Sequence, residues 1–228
     1  LSLHRLWSML RHRGTGSVSL RLHTYWRSGA AWRVRITLSL KGVNHAMVPH
    51  DLRIGAQREN AYLAINPQGL VPALDVDGQT IGQSLAILEW LEERYPKPPL
   101  LPMGGLDRAV ARGMAQIIAC DIHPLNNLRV LKHLRDGLKA DEEQASAWIA
   151  QWIHQGFTAL EVQIRRYGGR FCFGDTPTMA DCCLVPQVNS ARRFGVDLSA
   201  FPAIVNVDAQ CTTLTNFQSA HPNWQEIR

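Results

Sequence analysis

The sequence predicts an α/β N-terminal half followed by an all-α C-terminal half, and three observations carry that reading. Residues 19–48 read as strand, helix and strand; KPPLLPMGG at 97–105 is a Pro/Gly-rich break after a finished helix; beyond it only helical patterns recur. The 228 residues are enough for two small domains with cores of their own. They divide into a flexible basic extension at 1–18, an α/β domain at 19–97, a linker at 98–106 and a helical domain at 107–228.

Each element has its own signal. Ser19–Tyr25 alternates Leu20 and Leu22 as a strand does, Ala30–Leu40 is apolar and long enough for a helix that Gly42 ends, and His45–Val48 resumes extended structure. Gln57–Ile65 is a short helical or irregular stretch. Two short strands then flank Asp77-Gly78, a strong hairpin signal. Ser84 is placed as the N-cap of the helix LAILEWLEERY, which Pro96 stops. In the second half, Leu106–Leu138, interrupted by Pro124, and Glu142–Tyr167 are helical. Thr178 and Asp181 stand at capping-box spacing ahead of an apolar run.

Composition narrows the function classes. Apolar residues make up 46% and charged residues 19%, with no apolar run near the roughly 20 residues of a membrane span. Of the formal charge of +5, three charges (Arg5, Arg11, Arg13) fall in the acid-free stretch 1–18, so the body is near neutral. That stretch reads as an expression-derived or start-site extension, with a transit peptide as the alternative and no support for secretion. No basic stretch interleaved with aromatics suggests nucleic-acid binding. The five cysteines, Cys120, Cys172, Cys182, Cys183 and Cys211, include no C-x-x-C, and the histidines show no zinc spacing. They read as reduced thiols of a cytoplasmic protein that binds no metal.

Several motifs together resemble the zeta-class glutathione transferases over about residues 20–220. They are YWRSGAAWRVRITL at Tyr25–Leu38, NPQGLVPAL at Asn66–Leu74, QSLAI at Gln83–Ile87, DIHPLNN at Asp121–Asn127, and Ala180-Asp181 with LVPQ at Leu184–Gln187. The resemblance implies a thioredoxin-like N-terminal domain, an all-helical C-terminal domain, glutathione as cofactor and a homodimer. Within the class the chain resembles bacterial maleylacetoacetate isomerases and the related maleylpyruvate isomerases.

The resemblance also assigns roles, and each has a physical basis. Ser28, at the turn into a helix whose N-terminus favours an anion, is the catalytic residue that stabilises the glutathione thiolate. Gly29 and Ala30 complete that cofactor-binding turn; they replace the usual Ser and Cys, which argues against reductive dehalogenation and leaves isomerisation open. Val71, ahead of a cis Pro72, pairs its backbone with the tripeptide as an added strand would. Gln83 and Ser84 receive the γ-glutamyl carboxylate at a helix N-terminus. Gln57, His123, Asn127 and Arg129 complete the cofactor contacts. Standing alone, Ser84 reads as a plain helix cap and His123 as a core histidine. Arg27 and Arg193 are the substrate-binding pair, two guanidiniums suited to a small dicarboxylate. Arg193 is preferred to Arg192 because the family pattern has Arg directly before the residue matching Phe194.

The implied activity is glutathione-dependent cis–trans isomerisation of maleylacetoacetate to fumarylacetoacetate in aromatic amino-acid breakdown. Maleylpyruvate isomerisation and glutathione transfer to haloacids are the enzymatic alternatives, and a catalytically silent interaction module is the non-enzymatic one.

Overall fold

The computed structural model describes residues 19–225; the basic extension at 1–18 lies outside the described residues. Strand β1 (Leu20–Thr24), helix α1 (Gly29–Leu40) and strand β2 (Ala46–Pro49) form the opening unit. After a 3₁₀ turn at Ala56–Arg58 and the short α2 (Asn60–Leu63) come β3 (Ala73–Val76), β4 (Gln79–Gly82) and α3 (Ser84–Arg94). The strands make one sheet in the order β2-β1-β3-β4, with β1 parallel to β2 and antiparallel to β3. Asp77 and Gly78 have φ of 50° and 88°, the left-handed pair that a two-residue hairpin needs.

One prediction shifts by a residue. Gln83, not Ser84, holds the N-cap position of α3, with φ 64° and ψ 118° and no side-chain cap bond. Ser84 is instead the first helical residue, which leaves its hydroxyl for another partner.

The second half contains α4 (Gly105–Gln116), α5 (Leu128–Lys132), α6 (Glu142–Tyr167), α7 (Met179–Arg193), α8 (Pro202–Thr212), α9 (Thr215–Ser219) and α10 (Pro222–Gln225). The expected interruption at Pro124 is wider than one residue. The chain widens into a π-turn at Ile117–Ile122, is non-helical through 123–127, and widens again at His133–Gly137. Helix α6 crowds the first π-turn: a Cβ on Gly156 would lie 2.3 Å from Ile122 Cγ1, so the helix approaches closely only as glycine. The predicted box at α7 pairs the two residues, with Asp181 Oδ2 accepting from Thr178 N at 2.7 Å and from the Thr178 hydroxyl at 2.8 Å.

Helix α1 joins the two halves, because α7 covers one side of it while α3 and α9 cover others. Residues 31–38 of α1 are all buried, so the helix is covered around most of its circumference rather than along one stripe. The same run contains Arg33 and Arg35, which are 2% and 3% exposed. The segment between α3 and α4 is tied down rather than loose: Leu100 and Leu101 are buried, and Leu100 O accepts from Met179 N at 2.9 Å. Among the described residues, no helix is long and apolar enough to cross a membrane.

Candidate functional site

Ser28 caps α1. Its Oγ accepts from Ala31 N at 3.2 Å and its own N–H donates to Tyr25 O at 3.0 Å. With Oγ accepting from the helix, the hydroxyl proton is left to donate outward, as thiolate stabilisation requires. The turn is held from below by Arg35. This guanidinium donates to Thr24 Oγ1 at 3.0 Å, Tyr25 O at 3.4 Å, Trp26 O at 3.0 Å and Ala220 O at 3.2 Å. Burial lowers its pKa to about 10, still fully charged at neutral pH.

The ring of His123 sits over Gly29. A Cβ at Gly29 would lie 3.7 Å from His123 Cε1 and 3.7 Å from Pro186 Cβ, so the helical half closes directly over the turn. Burial, and secondly the nearby Arg33 charge, hold His123 down to a pKa of about 3, so the ring is neutral. Ala30 is half-buried beside this contact.

The Gln83–Ser84 corner is braced from two directions. Gln83 Nε2 donates to Gln68 Oε1 at 2.8 Å, which helps hold the unusual backbone at Gln83. Ser84 Oγ accepts from Arg33 Nη1 at 3.2 Å. The Val71-Pro72 bond is cis as expected. Tyr62 OH at 2.6 Å and Asn66 Nδ2 at 2.8 Å both donate to Leu70 O, which fixes the loop, while the Val71 backbone has no partner among the described residues. Gln57 is buried with its Oε1 unpartnered, and its carbonyl would lie 3.1 Å from a Cβ on Gly69. Gln57 thus sits against Gly69, at the start of the loop that leads to Val71.

Arg27 and Arg193 lie within electrostatic reach of one another and of Tyr25, each stacked on its neighbouring ring, with Cζ 5.2 Å from the Trp26 centroid and 4.8 Å from that of Phe194. Burial, and then the Arg27 charge, lower the pKa of Arg193. Arg192 points elsewhere, its Nη1 2.6 Å from Asp208 Oδ2. Neither Arg27 nor Arg193 has an acidic partner among the described residues, so the pair is open to an anion.

Asn127 and Arg129 are not drawn in as closely. Asn127 caps α5, accepting from Arg129 N at 3.2 Å, and no hydrogen bond or ion pair joins either side chain to the Ser28 turn or to Ser84. The sequence motifs give no role to Arg33 and Arg35. Their signal was present in W-R-V-R, two arginines inside an otherwise apolar helix. The cysteines are free, and burial pushes the Cys183 thiol up to about 11, so it is no ready nucleophile.

Family models for the glutathione S-transferase N-terminal domain and C-terminal domain match residues 27–94 and 128–227. The chain is 49% identical over 205 residues to a maleylpyruvate isomerase of a Ralstonia species, covering 89% of this chain and 97% of the relative. It is 50% identical over 206 residues to a maleylacetoacetate isomerase of Pseudomonas aeruginosa, with 89% and 96% covered. The holo structure of a maleylpyruvate isomerase, described as a bacterial zeta-class glutathione S-transferase, superposes with a TM-score of 0.86 at 50% identity over 89% of this chain and 96% of that one. The maleylacetoacetate isomerase of Anaeromyxobacter dehalogenans with dicarboxyethyl glutathione and citrate in its active site gives a TM-score of 0.82 at 44% identity over 91% and 96%.

Proposed function

The chain belongs to the zeta class of the glutathione S-transferase family, and on that premise we propose that it isomerises maleylacetoacetate to fumarylacetoacetate with glutathione as a recycled cofactor. Maleylpyruvate is the second substrate reading, favoured by Gly29 directly after Ser28 and by the 49% identity to a maleylpyruvate isomerase. The observation that carries the dicarboxylate reading is the Arg27–Arg193 pair, neither of them in an ion pair with an acid among the described residues.

The residues fit a tripeptide cofactor. The Val71 backbone is free to pair with it, Gln57 keeps a buried unpartnered oxygen next to that loop, and the first turn of α3 at Ser84 presents N–H groups to a carboxylate. Gly29, Ala30, Gln83, Pro72 and His123 shape the rest of this cradle, with Asn127 and Arg129 at its outer edge.

The chemistry that bound glutathione supplies is a thiolate adding reversibly to the cis double bond, which permits rotation before elimination re-forms the bond trans. Ser28 donates its hydroxyl to the thiolate and holds it ionised with the help of the α1 N-terminus. Arg27 and Arg193 grip the two carboxylates and offset the negative charge that addition pushes onto the substrate. His123, neutral, packs over the turn without adding a competing cation. The reading includes a twofold homodimer in the cytoplasm.

The test is a rate comparison on maleylacetoacetate and maleylpyruvate with and without glutathione. Ser28→Ala is expected to lower turnover by roughly 10²–10³ while glutathione affinity changes little. No glutathione-dependent isomerisation of either substrate by the unmutated protein overturns the proposal.

A further inference from the structure

Arg33 is 2% exposed, and no carboxylate pairs with it among the described residues. Among the described residues its Nε has no partner, and its one hydrogen bond runs from Nη1 to Ser84 Oγ at 3.2 Å. The titratable groups facing it are His123, Cys120 and Cys183. Of these, His123 is neutral and burial raises the Cys183 thiol to about 11, so neither balances the guanidinium. A buried cation without a counter-ion is costly to fold around unless an anion arrives to balance it. Arg35, two residues on in the same helix, shows the contrast: its donors are spread over three carbonyls and a hydroxyl that hold the chain in place.

We propose that Arg33 is a positioning residue for the glutathione carboxylate, acting through Ser84. Arginine donates and never accepts, so Ser84 Oγ must accept from it, and the Ser84 hydroxyl proton is therefore turned outward as a donor. The Ser84 hydroxyl, the free N–H groups of the first turn of α3 and the uncompensated charge beneath them then converge on one carboxylate. The inference rests on the glutathione reading and deepens it by adding Arg33 behind Ser84 at the γ-glutamyl carboxylate.

The test measures binding by titration calorimetry for glutathione and for its analogue whose γ-glutamyl α-carboxylate is an amide. Arg33→Gln, which can still donate to Ser84 but carries no charge, is expected to weaken glutathione about tenfold and the amide analogue less than about twofold. Ser84→Ala should show the same selectivity, and the double variant should lose no more than the larger single loss. Equal losses for both ligands, or no loss for glutathione, overturn the proposal. If Arg33→Gln does not fold, Ser84→Ala decides: a several-fold loss confined to glutathione supports the proposal, and an equal loss for both ligands or no loss for glutathione overturns it. An unmutated protein that binds neither ligand overturns the glutathione reading itself, and this inference with it.

Discussion

Lys41 Nζ lies 2.7 Å from Glu92 Oε2, and the two side chains are 0% and 6% exposed. The pair is fully hydrogen-bonded. The ammonium also donates to Tyr95 O at 2.7 Å and Pro98 O at 3.0 Å, and the carboxylate accepts from Leu100 N at 3.0 and 3.2 Å. The end of α1, the end of α3 and the segment leading to α4 are thus fastened at one point. Lys41→Met leaves a buried carboxylate unbalanced and should lower unfolding free energy by about 3–5 kcal/mol. Replacing both partners, Lys41→Met with Glu92→Leu, should recover part of the loss. Urea melts of the three proteins at pH 7 check this; a single-variant loss under about 1 kcal/mol would mean the pair is not the fastening.

The glycine that departs from the family pattern is not sterically required. A side chain at Gly29 meets His123 and Pro186 at 3.7 Å, ordinary van der Waals contact. Gly29→Ser should therefore fold with a stability change within about 1 kcal/mol, the gain in helix propensity offsetting the new contact. Gly29→Val, with two further methyl groups, should push His123 away and weaken glutathione binding while Gly29→Ser does not. Calorimetric affinities for the two variants separate the outcomes, and equal weakening would show that glycine itself is needed.

Much of this site was legible in the sequence because its residues act locally. Ser28 caps the helix it precedes, Asp77-Gly78 turns the hairpin it interrupts, and the Thr178–Asp181 box closes within three residues. The parts that were not legible depend on distant partners. Arg33 meets Ser84 across 51 positions, and Arg35 meets Ala220 across 185, inside a helix buried on so many sides that periodicity singles out no face. The π-turn at Ile117–Ile122 escaped for the same reason: it answers to the approach of Gly156 from another helix. The one-residue error at Ser84 came from reading a cap where a strained Gln83 supplies the turn.

Acid should weaken the fold through histidines held neutral. His123 has a folded pKa of about 3, lowered first by burial and then by Arg33. His23 and His50, in mutual contact at 2.9 Å, are also lowered, each chiefly by burial. Below the ordinary histidine value near 6.5 the unfolded chain binds protons that the folded one refuses. Stability is therefore full above about pH 6.5 and declines as pH falls toward the folded values. His123→Gln, which cannot titrate, should show a smaller decline between pH 7 and pH 5 in urea melts. An identical pH dependence in the variant would remove His123 as a contributor.

Arg192 and Arg193 are adjacent in sequence and should separate completely in experiment. Arg192 binds Asp208, whose side chain is 4% exposed and whose pKa burial raises even against the opposing arginine. Arg192→Met strands that carboxylate and should lower stability by about 2 kcal/mol, between an exposed and a buried pair. Its effect on the KM for the dicarboxylate should be small. Arg193 instead faces Arg27 and stacks on Phe194, with no acid to strand. Removing it relieves repulsion between two guanidiniums, so Arg193→Met should leave stability within about 0.5 kcal/mol. The same change should raise KM about tenfold or more, because one charge-assisted carboxylate contact is lost. Urea melts paired with steady-state kinetics read both quantities from the same preparations. If Arg192→Met carries the KM effect and Arg193→Met the stability loss, the substrate site lies on the other face of α7.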